Sequence, residues 1–210
     1  MNQKPIAKTT LSWTCAVILL LALSAATNVM TAQSPPAQSP DNPTSRRSEE
    51  IAKLLAVLRD PDLRKTHPEQ VVSAIQRLGE VRAIEAVDDL IELLTFARKF
   101  DWESPDNKMI VEIQVIHTGN RYPATSALFQ IGRPALPALV KVIELDGLGP
   151  LRGQNAMFAI QGIFSDDLSE GVKYLEQLAQ ASANPDSAQH LMQAAAQLKQ
   201  LAAQLAATKK

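Results

Sequence analysis

Ala127-Leu128-Phe129-Gln130-Ile131-Gly132-Arg133-Pro134-Ala135-Leu136-Pro137-Ala138-Leu139, followed by Val142-Ile143, reads as two short amphipathic helices that meet at a glycine. Ala127, Leu128 and Ile131 share one face at helical spacing, and Gly132 ends that helix. Pro134 and Pro137 then fall in the opening turn of the next helix, where a missing backbone N–H does no harm. An earlier stretch is a copy of this one: Ala74-Ile75-Gln76-Arg77-Leu78-Gly79, then Ala83-Ile84-Glu85-Ala86-Val87 and Leu90-Ile91. A single hairpin of such helices cannot bury its apolar face, so repeated hairpins stack, and the product is an extended binding surface. The fold class expected is all-α: a short α-solenoid of helical hairpins with one irregular insertion and a long C-terminal capping helix.

Working outward, Ile51, Leu54, Leu55 and Leu58 give an N-terminal cap helix that Asp60-Pro61-Asp62 ends. Thr66-His67-Pro68-Glu69 reads as a capping box for the helix carrying Val71, Ala74, Ile75 and Leu78; Gly79 breaks that helix, and residues 83–94 form its partner. A degenerate third copy puts Ala156, Ala159, Ile160 and Ile163 on one helix and Val172, Leu175 and Leu178 on the next, with Phe164 at the corner. Asn184-Pro185-Asp186 opens a last helix over about residues 187–207, where Leu191, Leu198 and Leu205 recur every seven residues. The small Ala194 between them suits a terminal cap on the last repeat more than a dimerisation zipper.

The stretch from Ala127 to Leu139 resembles the core of a HEAT-type repeat, including the variant of the bilin-lyase-like group, and residues 73–94 resemble it too. The resemblance implies a HEAT-like solenoid and, for function, protein binding; a few members of such families act as lyases or maturation factors. Phe164 and the long segment between the first two copies depart from the pattern.

Residues 1–32 read as a cleaved secretory signal: Lys4 and Lys8 precede an apolar run over 11–26, and small residues allow a cut after Ala26 or Ala32. The run is short for a span and is broken by Ser12, Thr14 and Ser24. The single cysteine, Cys15, lies inside it, so the mature chain has no disulfide, thiolate nucleophile or Cys-based zinc site. Residues 33–48, with prolines at 35, 36, 40 and 43, read as a disordered spacer, and 49–210 as the repeat domain. Lys and Arg total 21 against 22 Asp and Glu; without Lys4 and Lys8 the balance is 19 against 22, or −3, which does not favour nucleic acid.

Chemistry-bearing residues concentrate in two places. The insertion, 99–122, holds Trp102, Arg121 and Tyr122 as candidate partner-binding residues, and Asp101, Glu103, Asp106, Glu112 and His117 without metal spacing. A staple that ties the loop to the helices is the competing role for its aromatics. The second helix of the first copy carries Glu85, Asp88, Asp89 and Glu92 with no compensating base, and Lys141 follows on the later unit; these are partner-binding candidates, which the HEAT-like resemblance implies lie on a concave face. No catalytic, cofactor or metal site is expected. The function expected is a non-catalytic protein-interaction or scaffold module, monomeric and secreted or periplasmic. A lyase-like maturation enzyme with its site in the insertion, and a membrane-anchored envelope component, are the alternatives.

Overall fold

The computed structural model describes residues 43–98 and 121–208. Every regular element among them is helical: α1 (Pro43–Arg59), α2 (Pro61–Thr66), α3 (Pro68–Glu80), α4 (Val87–Glu92), α5 (Pro123–Ile131), α6 (Leu136–Asp146), α7 (Leu151–Ile163), α8 (Leu168–Ala181) and α9 (Pro185–Thr208), with 3-10 turns at Ile84–Ala86 and Arg133–Ala135. None of these helices is long and apolar enough to cross a membrane.

Helix α1 begins at Pro43, so residues 43–48, expected in the spacer, are helical. Arg47 supplies the reason, because its Nη2 donates to the carbonyls of Val81 (3.0 Å) and Arg82 (3.4 Å) just past the end of α3. The capping box at Thr66 is not formed. Thr66 belongs to α2 and its hydroxyl donates to Asp62 O, while His67 is the cap residue of α3 and gives no side-chain bond there. The side-chain cap in this region is Asp60, which accepts the N–H groups of Asp62 and Leu63 at the start of α2.

Helices α3, α5 and α7 lie side by side with α5 between the other two. A second layer backs them: α4 packs on α5 and α6, α6 on α7, and α9 on α6. The seam between the layers is built by Ile75, Leu78, Leu90, Leu128, Leu139, Ile143, Ile160 and Leu191, all fully buried in one continuous cluster. The expected partner helix over 83–94 is shorter, a 3-10 turn followed by the six residues of α4. A helix end leaves carbonyls over, and one of them is met from the third unit: Asn155, 1% exposed on α7, donates its Nδ2 to Leu94 O at 2.6 Å.

The two corner glycines, equivalent in sequence, act differently. Gly132 has φ +84 and ends α5 in the left-handed region, with open space where a Cβ would stand. Gly79 lies within α3, and a Cβ there would meet the Cα of Ala127 at 2.8 Å; it serves the close approach of α3 to α5. The chain turns after α3 through Arg82 instead, at φ +49.

The third pairing also differs from expectation. Helix α8 runs chiefly along α9 and touches α7 lightly, so the terminal hairpin is α8 with α9. Phe164, at the α7–α8 corner, is buried, and its ring lies 2.8 Å from where a Cβ on Gly171 would stand, beside Leu198 of α9. A large corner side chain thus fills the space that a tighter α7–α8 contact would need. Leu191 and Leu198 of α9 are buried, whereas Leu205 is 48% exposed.

Candidate functional site

Two adjoining hollows, which share Arg82, Phe129 and Gln130, form a groove at the ends of α3, α5 and α7. Its larger part, about 660 Å³, is lined by Arg82 and Ile84 beyond the end of α3, Phe129 and Gly132 at the end of α5, and Ile163 and Asp166 at the end of α7. A second hollow of about 350 Å³ continues past Arg82, Phe129 and Gln130 to Gly79 and Glu80. Phe129 is 44% exposed, and its ring lies against Gly162, where a Cβ would meet it at 2.7 Å. The absent side chain lets the aromatic ring pack on α7 while much of it stays open to solvent. Ile84, 56% exposed, adds an aliphatic wall.

The rim charges are mostly neutralised. Arg77 is bonded to Glu50 (2.6 Å) and Glu80 (3.1 Å), and those hydrogen bonds hold its guanidinium above its ordinary pKa. Arg133 is hydrogen-bonded to Glu170 and lies over the Phe164 ring, 5.4 Å from its centroid. That bond from Arg133 lowers the Glu170 carboxyl from its usual range. Among the described residues, the Arg82 guanidinium and the Asp166 carboxylate have no ion-pair partner.

The residues expected from sequence are placed elsewhere. Trp102 and the acids and histidine of the insertion lie outside the described residues. The ends of the insertion meet: Arg98 N donates to Arg121 O at 2.8 Å, and Arg98 is paired with Glu69 of α3 at 3.0 Å. Arg121 lies over the ring of half-buried Tyr122, 5.7 Å from the centroid, at the start of α5. On the α4 segment, Glu85, Asp88 and Glu92 are exposed, as is Lys141 on the adjacent α6. Asp89 does have a compensating base. Its two oxygens accept from Arg59 of α1, both at 2.9 Å, with the Asp89 side chain only 17% exposed. Sequence spacing does not reveal this arginine, which lies 30 residues away on another helix.

His190 is half-buried; its Nδ1–H donates to Glu144 O at 3.0 Å and its ring closes over Gly147, holding the α6–α7 turn to α9. No group of three or more His, Cys, Asp or Glu among the described residues is placed to hold a metal ion.

The groove itself is absent from the expectations drawn from sequence, although one signal of it is present there. Phe129 occupies the position held by Gln76 in the first copy, so an aromatic side chain replaces a polar one on the outward face of the helix. Comparison with known proteins finds no family model, no curated protein and no solved structure that matches this chain.

Proposed function

We propose that this chain is a non-catalytic protein-interaction module built from HEAT-like hairpins, and that it engages its partner along the corner groove. The observation that carries this reading is an exposed aromatic side chain, Phe129, in an open groove to which the ends of α3, α5 and α7 contribute. An open hollow shared by several units suits a segment of polypeptide better than a small molecule, which needs burial of most of its surface. Apolar side chains flanked by charges also have the make-up of an interface centre and rim. The repeat reading is supported by the two sequence copies and by the side-by-side packing of α3, α5 and α7.

Export is part of the proposal, resting on residues 1–32, and N-terminal sequencing of exported material tests it; recovery of Met1 would place the protein in the anchored class instead. The binding reading is tested by retention of a protein partner from native extract on the immobilised chain. Phe129→Ala is expected to lose the partner and Asp88→Lys, on α4, to keep it. Equal retention by Phe129→Ala and wild type would remove the groove from the reading.

A further inference from the structure

We infer that the groove takes an extended peptide of about seven residues, with an acidic side chain at one end, a basic one at the other, and apolar side chains at alternate positions between them. This rests on the interaction reading above and deepens it. Because α5 lies between α3 and α7, the corners follow in the order Arg82, Gly132, Asp166. Two helix spacings of about 8–10 Å separate the ends, a span of about 16–20 Å. A strand rising about 3.3 Å per residue covers that span in about seven residues and puts its first, third, fifth and seventh side chains on one face. The groove offers that face a cation at Arg82, apolar side chains at Ile84, Phe129 and Ile163, and an anion at Asp166, while the Arg133 guanidinium that also lines it is already bonded to Glu170.

Arg82 carries a second sign of use. It occupies a left-handed backbone position, φ +49, that favours glycine, the residue found at the next corner, yet its guanidinium has no ion-pair partner among the described residues and lines the groove. Strain of this kind persists where the side chain is needed. A partner with two like charges would satisfy one end and be repelled at the other.

The test uses the full chain and four fluorescein-labelled, end-blocked heptapeptides: Asp-Ser-Leu-Ser-Leu-Ser-Lys, its reverse, and the versions with Asp at both ends or Lys at both ends. Fluorescence polarisation at low salt is expected to show one direction of the mixed-charge peptide binding about fivefold or more tighter than either like-charged peptide. Arg82→Glu should transfer the preference to the peptide with two Lys, and Asp166→Lys to the peptide with two Asp. Phe129→Ala should weaken every peptide about tenfold. Arg82→Gln, which removes charge without reversing it, should abolish the discrimination if Arg82→Glu does not fold. Equal binding of all four peptides, or a preference that fails to follow the charge reversals, would overturn the inference. Loss of partner retention in Phe129→Ala without peptide discrimination would leave the groove as docking site and remove only this peptide chemistry. Concentration-dependent self-association that Phe129→Ala abolishes would identify a second copy as the occupant and likewise overturn it.

Discussion

A Cβ on Gly79 would stand 2.8 Å from the Cα of Ala127, so α3 and α5 approach as closely as a backbone without a side chain permits. Ala127 is fully buried in that seam. Gly79→Ala must therefore displace backbone, and its expected cost is about 1–3 kcal/mol, as for overpacking in general. Gly132→Ala meets open space and is strained only by its backbone, φ +84 and ψ −145, a conformation nearly reserved for glycine that costs about 1–3 kcal/mol. Urea unfolding measures both losses, and an unchanged midpoint for Gly79→Ala would mean that α3 and α5 are not held at this distance.

Removing the amide of Asn155 should destabilise the protein without touching the groove. Asn155→Leu leaves the Leu94 carbonyl without its donor, at an expected cost of about 1–3 kcal/mol. Chemical unfolding gives the loss, and unchanged peptide binding at folding-permissive temperature separates it from a binding effect.

Acidic pH should loosen the start of α8. Hydrogen bonds from the Ser169 side chain and from the Glu170 and Ser169 N–H groups hold the Asp167 carboxyl below its usual range. The unfolded chain therefore takes up the proton first, and the stabilisation, complete above the ordinary Asp value of about 4, is lost as pH falls through the lower folded value. The melting temperature of wild type should fall more steeply below that range than that of Asp167→Asn.

Two adjacent carboxylates on α4 should behave differently. Asp89 joins α4 to α1 through Arg59, so Asp89→Ala is expected to lower the urea midpoint, whereas exposed Asp88→Ala leaves it unchanged. Equal effects of the two would mean that the contact with Arg59 contributes nothing measurable.

The helical pairs are legible in the sequence because their signals are local. Ala127, Leu128 and Ile131 define a face by spacing alone, and Pro134 and Pro137 mark a helix start that the structure has at Arg133 and Leu136. What escapes depends on contacts distant in sequence. The spacing of Gly79 is that of a helix end, but its cause is Ala127 on the next unit; Thr66 offers a capping pattern that Asp60 and α2 displace; Arg59 neutralises an acid on another helix. The groove is least legible, since it exists only where three corners converge, and its one local trace is Phe129 in place of Gln76.

Site-specific photo-crosslinking in the producing cells tests the central claim most directly, with a benzophenone amino acid introduced at Gln130, beside Phe129 in the groove, and separately at Glu92 on the α4 face. A discrete protein adduct at Gln130 and none at Glu92 is the predicted result. An adduct at Glu92 with none at Gln130 would contradict it and return the partner to the acidic face of α4.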